Sequence, residues 1–183
     1  ALLKIAADDP RGNSWHASLY HRESDVQSAA QSMLGSGRFR STTALLGDDE
    51  YGADIVVAEY RFAGGGWLAD DGVIRAWHQA SDFEQKTRDE RTLAPRPVAI
   101  DRLFAFQQRA TGLEANLQKS FATDHAAHRV SYGFEAKQRK TEEYRDGIET
   151  GLDDGQRTNV LLGEVFPLRD FPVSRTREWG AFV

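Results

Sequence analysis

Residues 113–139 constrain the chain more than any other stretch. Leu113, Ala115, Leu117 and Phe121 alternate with Glu114, Asn116, Gln118 and Ser120, a period of two that sets apolar side chains on one side of an extended strand and polar ones on the other. After the polar turn Thr123-Asp124-His125-Ala126-Ala127 the alternation resumes, with Val130, Tyr132, Phe134 and Ala136 opposed to Arg129, Ser131, Glu135, Lys137 and Arg139. The pattern predicts a long antiparallel hairpin with one dry face and one wet face. Its arms are long for a soluble sheet and match the roughly 9–11 residues with which a tilted strand crosses a bilayer. Length and alternation together point to a transmembrane β-barrel.

The bulk composition is compatible with that reading. The apolar runs fall far short of the roughly 18 residues of a membrane helix, but lipid-facing and lumen-facing side chains average to a polar sequence in a barrel. The chain is 40% hydrophobic and 28% charged. Its net charge of −5 argues against a nucleic-acid partner, which calls for a basic patch. The absence of cysteine removes disulfides, thiolate zinc sites and cysteine nucleophiles together, and fits an outer-membrane location. A length of 183 residues suits one domain or a piece of a larger one. The strand-like start at Ala1 and the alternating run that reaches Val183 are expected of an interior section of a longer chain.

Along the chain, Leu3, Ile5 and Ala7 mark a first strand, closed by the turn-forming residues 8–13. Trp15, Ala17 and Leu19 alternate with His16, Ser18, Tyr20 and Arg22 in a second. Residues 23–50 lose the period and predict a long loop, with a short helical turn near 26–34. Val56, Ala58, Tyr60 and Phe62 define a third strand, ended by Gly64-Gly65-Gly66. Residues 73–85 predict a fourth, with Ile74, Ala76, His78 and Ala80 on one face and Val73, Arg75 and Trp77 on the other; its register stays open. A charged loop at 88–100, a fifth strand at 103–121 either bent or extended past the membrane at Gly112, a sixth at 129–142, a long loop at 143–174 and a last strand from Arg175 complete the pattern. The connections run short, long, short, medium, short, long. Outer-membrane barrels sort their turns in this way, and soluble sandwiches have no reason to.

Candidate sites are few. Trp15, Tyr20, Tyr60, Phe62, Phe104, Phe106, Phe121 and Trp179 stand near strand ends, as an interfacial girdle requires. His16 and His21 have opposite parity and His125 and His128 flank a turn, so no local ligand pair forms, and His78 stands alone in mid-strand. Asp48-Asp49-Glu50 and Asp153-Asp154 lack a calcium-loop spacing and read as solvated, so no metal site is assigned. There is no Gly-x-Ser-x-Gly elbow, and His78 and Ser81 point to opposite faces, so no enzyme is expected.

Four runs carry a family likeness: Tyr132-Gly133-Phe134, the segment Thr141-Glu142-Glu143-Tyr144-Arg145-Asp146-Gly147, the segment Phe166-Pro167-Leu168-Arg169-Asp170-Phe171-Pro172-Val173-Ser174, and Glu178-Trp179-Gly180-Ala181-Phe182-Val183. Together they resemble TonB-dependent outer-membrane receptors, and the haem/haemoglobin receptor family in particular. The likeness is specific over residues 103–183 and reduces to strand rhythm before them. It implies that residues 1–183 supply about seven strands of a roughly 22-stranded barrel. The barrel would surround an N-terminal plug in the bacterial outer membrane. Its cargo would be haem, haemoglobin-derived iron or a related iron carrier, a transported ligand and not a cofactor. The partners implied are outer-membrane lipid, TonB acting through the plug, and the haem or haemoglobin-like ligand.

The departures from the family are large. The plug, the TonB box, the closing strand and the Phe-Arg-Ala-Pro and Asn-Pro-Asn-Leu boxes are not in this sequence, so no haem-ligand role passes to His16, His21, His78, His125 or His128. What the resemblance does imply is an extracellular loop at 143–174, with Arg169, Asp170 and Phe171 near its return to the membrane as candidate ligand contacts. The plainer reading is that the Arg169-Asp170 pair braces the loop and its prolines shape the exit. Two other architectures fit the strand pattern: a small complete outer-membrane barrel of about eight strands, structural or adhesive, and a soluble antiparallel β-barrel or sandwich that binds a small ligand.

Overall fold

The computed structural model describes residues 1–92 and 96–183. Its strands are β1 (Leu2–Asp8), β2 (Ser14–Ala29), β3 (Thr42–Ala63), β4 (Asp71–Arg91), β5 (Val98–Ala122), β6 (Ala127–Gly151), three short pieces β7 (Arg157–Thr158), β8 (Val160–Leu161) and β9 (Glu164–Val165), and β10 (Ser174–Phe182). The sheet order is β1-β2-β3-β4-β5-β6-β10, antiparallel throughout, with β7 paired to β6 off that path and β8-β9 forming a separate ribbon. Among the described residues no α-helix occurs; the only helical turns are 3-10 turns at Gln31–Met33 and Gly37–Phe39. The all-β, up-and-down expectation therefore holds. The sheet is open: among the described residues β1 pairs only with β2, and β10 only with β6.

The strands are longer than the alternation predicts. β3 runs for 22 residues, and β5 and β6 for 25 each. The expected loop at 23–50 shrinks to residues 30–41, because Glu23 to Ala29 continue to pair with Gly52 to Leu46. Likewise residues 143–151 belong to β6, paired with residues 98–106. The expected loop at 88–100 shrinks from both sides, since β4 reaches Arg91 and β5 begins at Val98, while its residues 93–95 lie outside the described residues. Of the helical turn expected at 26–34 only Gln31–Met33 is helical, and Val26 lies within β2.

These errors share a cause. Beyond the apolar stretch both faces of each strand turn polar, so the period-two signal disappears while the backbone ladder continues. Cross-strand charge sustains it: Lys86 Nζ lies 3.2 Å from Glu50 and 2.7 Å from Glu84, and Arg88 Nη1 lies 3.4 Å from Asp101. On the other face Asp89, fully buried, accepts from Thr42 Oγ1 at 2.9 Å and from Arg91 Nη2 at 2.6 Å. Gly112 is no bend. Its register with Trp77 and Lys137 is unbroken, and the missing side chain makes room for the Trp77 indole, which a Cβ there would meet at 2.4 Å.

The connections segregate by end. Residues 9–13, 64–70 and 123–126 turn tightly at one end of the sheet, and residues 30–41, 92–97 and 152–173 join strands at the other. The first turn is an Asx type: the Asp9 carboxylate accepts from the Arg11 and Asn13 amides at 2.7 and 3.0 Å, with Gly12 at φ +84°. The turn at 64–70 folds onto the sheet and is latched there. Lys119 Nζ donates to Gly66 O at 2.7 Å and to Asp70 Oδ1 at 2.6 Å, the Ser120 amide donates to Asp70 Oδ2 at 2.7 Å, and the Tyr132 hydroxyl donates to Leu68 O.

The Lys119 ammonium, and after it the Ser120 amide, hold the Asp70 carboxyl below its ordinary value. Because folding lowers this pKa, the latch contributes fully above the unfolded value of 3.8 and is lost as pH falls through the lower folded one. Hydrogen exchange at the Ser120 amide, corrected for its intrinsic rate, is expected to stay slow down to about pH 4 and to accelerate below it. Asp70→Asn is expected to speed it at every pH. A Ser120 amide indifferent to that substitution would refute the latch.

Candidate functional site

The register sorts every strand residue onto one of two faces. One row across all seven strands of the main path reads Ile5, Ala17, Ala58, Ala76, Leu113, Ala136, Trp179. The next row on that face, toward the tight turns, reads Ala7, Trp15, Tyr60, Ile74, Ala115, Phe134, Ala181. Neither row contains a charge. Phe62, Gly72, Leu117 and Tyr132 extend the band downward and Leu3, Leu19 and Val56 extend it upward. No second layer covers it among the described residues: Ile5 is 61% exposed, Trp15 59% and Trp179 85%.

Between those two rows, on the opposite face, runs Ala6, His16, Glu59, Arg75, Glu114, Glu135, Gly180. It is held by a charge ladder. Glu59 sits between Arg61 Nε and Arg75 Nη2, each at 2.6 Å, and Arg75 Nη1 reaches Glu114 at 2.5 Å. Further along, Lys137 bridges Glu135 at 3.4 Å and Glu178 at 3.0 Å. One sheet thus presents an apolar band outward on one side and an ion-paired surface on the other at the same height.

Of the aromatic residues expected in a girdle, Trp15, Tyr60, Phe62, Phe121 and Trp179 share the apolar face, and Trp15, Tyr60 and Phe62 stack at 4.2 and 6.1 Å between ring centroids. Tyr20, Phe104 and Phe106 do not, because their parity turns them to the charged face, where Phe104 meets Phe83 and Phe106 meets Phe171. Trp67, 91% exposed in the 64–70 turn beside Leu68, joins the apolar side together with Tyr60, Phe62, Ile74 and Leu117. The sequence offered one signal for it, a tryptophan in a glycine-rich turn.

Four of the five histidines have a side-chain partner: His16 Nε2 with Ser14 Oγ at 3.2 Å, His21 Nδ1 with Asp54 at 2.7 Å, His78 Nδ1 with Thr111 Oγ1 at 2.9 Å and His128 Nε2 with Thr123 Oγ1 at 3.2 Å. Among the described residues no three His, Asp or Glu side chains converge as metal ligands. Asp48 and Glu50 share a face from which Asp49 points away, and Asp154 is engaged by Arg96 and the Gln156 amide.

The loop at 152–173 folds back over the charged face near the wide end. Leu161 and Phe166 pack on Val98 and Ile100, with Leu168 beside them, and Gly147 leaves the space that Leu161 fills. Arg145 and Leu168 exchange both backbone hydrogen bonds at 2.9 Å. Here the three candidate residues separate. Asp170 accepts from Arg145 Nη1 at 2.7 Å, while its own amide donates to Glu143 Oε2 at 2.7 Å. Phe171 lies edge-on to Phe106 at 6.4 Å. Arg169 remains exposed. The brace is therefore Arg145–Asp170 and not the neighbouring Arg169–Asp170 pair. A strand that continues past Glu142 would have announced it, since Glu143 and Arg145 then share the charged face.

Phe166 is 4% exposed, so Phe166→Ala is expected to cost about 3–5 kcal/mol locally. The Arg145–Asp170 pair is part-exposed and contributes about 0.2–1 kcal/mol. Limited proteolysis of residues 152–173 is expected to accelerate sharply in Phe166→Ala and little in Arg145→Gln. The reverse order would mean that charge, and not burial, seats the loop.

No protein-family model matches this sequence, and no curated protein matches it.

Proposed function

We propose that this sheet is a sector of an outer-membrane β-barrel, with the apolar band toward lipid and the charge ladder toward the lumen. The observation that carries the reading is the pair of uncharged rows crossing seven strands, backed at the same height by an ion-paired row. A soluble protein would need a second layer over the band; among the described residues the turn at 64–70 covers only its lower margin, and the loop at 152–173 lies over the other face. On β5 the apolar face is uncharged from Thr111 to Leu117, which rises about 20 Å along the strand and about 16 Å across a bilayer at a tilt of about 40°, against about 25 Å for the apolar belt of such barrels, and Lys119 at its lower margin is turned to the 64–70 turn.

The open edges favour a sector over a small closed barrel. With seven alternating strands, β1 and β10 run in the same direction, so closing the sheet on itself would need a parallel pair. Bacterial barrels close with even numbers, and an unpaired edge is untenable in lipid. The tight turns would lie in the periplasm and the wide end outside.

Within this class the motifs of residues 103–183 favour a TonB-dependent receptor for haem, haemoglobin-derived iron or a related carrier. Its mechanism is binding and gated passage, with no bond made or broken. The plug would fill the charged lumen and carry the pull of TonB. Of the three loop residues, Asp170 and Phe171 brace the fold, leaving the exposed guanidinium of Arg169 as the group suited to an anionic ligand such as a haem propionate.

Nitroxide labels at Val56 and Phe134 in the membrane-inserted intact chain are expected to be accessible to oxygen and shielded from a water-soluble relaxant, and labels at Asn116 and Glu135 the reverse. Water exposure at all four positions would refute the sector. For the cargo, Arg169→Gln is expected to weaken haem binding by about tenfold or more, the loss of one charge-assisted contact. Membranes carrying the intact chain that retain no haem would refute the receptor assignment and leave the barrel standing.

A further inference from the structure

Above the apolar band the outward face changes character by sector. The row two steps beyond Leu113, Ala136 and Trp179 reads His21, Asp54, Ala80, Arg109, Lys140, Arg175. Three cations therefore stand side by side on β5, β6 and β10, about 4.8 Å from strand to strand, and Arg177 lies one step below on β10. Like charges directly opposite one another destabilise a sheet, and here little offsets them. Among the described residues Arg109 and Arg175 form no ion pair, Arg177 Nε donates to Gln138 at 3.1 Å, and Glu142 is the one nearby acid, paired with Lys140 and within electrostatic reach of Arg109. On β2 to β4 the same face carries the acids Asp25, Asp48, Glu50, Asp54, Asp82 and Glu84. Lys86 and Arg88, higher on β4, are matched by Glu50, Glu84, Glu90 and Asp101, so at the height of this row the positive charge lies on β5, β6 and β10.

Its height is specific. Four residues along a strand rise about 13 Å, or about 10 Å at barrel tilt, which sets the row level with the polar headgroups above the last uncharged row. Long basic side chains reach down to that layer. We propose that Arg109, Lys140, Arg175 and Arg177 form a binding site for a lipid whose headgroup carries more than one phosphate, held on the lipid face of the barrel at its wide end. This rests on the sector reading. Three adjacent cations spanning about 10 Å match paired phosphates better than one, and the uncharged surface below them, with Trp179 at its margin, continues into the layer that such a lipid's acyl chains occupy.

The test uses the intact chain in nonionic detergent, titrated with diphosphorylated lipid A, with phosphatidylcholine and with inorganic pyrophosphate. Lipid A is expected to bind at least tenfold more tightly than either other probe, and less tightly as salt rises. The triple variant Arg109→Gln, Lys140→Gln, Arg175→Gln is expected to lose about a hundredfold in lipid A affinity, as three basic residues near a membrane surface would. Lys86→Gln with Arg88→Gln, higher on the same face, is expected to change it little. Equal affinity of the triple variant and the parent overturns the proposal. So does pyrophosphate binding as tightly as lipid A, which would make this a free-anion site. Nitroxides at Val56 and Phe134 separate the two readings: labels in lipid with an unaffected triple variant remove the lipid site alone, and labels in water remove both.

Discussion

Everything in this molecule depends on its being one layer thick. A sheet packed against a second layer can hide mismatched side chains between the two, but a single sheet has two surfaces and each must suit its own surroundings. Ile5, Trp15, Leu113, Phe134 and Trp179 lie on one of them with no second layer over them among the described residues, and Glu59, Arg75, Glu114 and Lys137 on the other. The separation is complete only over a limited height. Beyond it both faces are charged, which water tolerates and a bilayer does not. On the proposed reading that change along each strand, and not the sheet itself, would mark where one solvent gives way to another.

Inside the band the charged face needs its own account, since Glu59 is only 9% exposed. A carboxylate so placed is destabilising unless paired. Here two guanidiniums hold its two oxygens, and Arg75 passes the pairing on to Glu114 in the next strand. The ladder thus does for the polar face what side-chain packing does elsewhere, by fixing β3, β4 and β5 in one register. A slip by one residue would exchange the faces wholesale, moving Arg75 among Trp15, Tyr60 and Phe134. Band and ladder therefore enforce the same alignment from opposite sides.

That coupling explains what was legible in the sequence. Where one face is dry the period of two is visible, so the hairpin of residues 113–139 emerges from the residues alone, whereas at 73–85, where both faces are mixed, only the parity of Ile74 and His78 against Arg75 and Trp77 does. Where both faces are wet, as at Glu23 to Ala29 and Glu143 to Gly151, the pattern vanishes although the pairing does not. Strand ends read as loops. The same blind spot hid the loop's seat: with β6 ended at Glu142, neither Glu143 nor Arg145 had a face, and Asp170 had only its chain neighbour Arg169 to pair with. Asp70 and Lys119 were hidden differently, because their contact joins a turn to a strand far along the chain, and no periodicity reports such a meeting.

The edges give the last constraint. Along β6 the outer edge is occupied in stages, by β10 over residues 133–141, by Leu168 at Arg145 and by β7 at residues 149–150. The loop at 152–173 is therefore both a cover for the charged face and a continuation of the sheet edge. Where Leu161 and Phe166 hold it against Val98 and Ile100, it leaves few backbone groups of upper β6 free. Among the described residues β1 and β10 have no such cover on their outer sides, and it is at the height of the uncharged rows that they are bare. On the proposed sector reading a backbone edge exposed there would face hydrocarbon, the one surrounding that cannot satisfy it. On that reading the apolar band and the bare edges would have the same remedy, further strands at the same height carrying the same alternation.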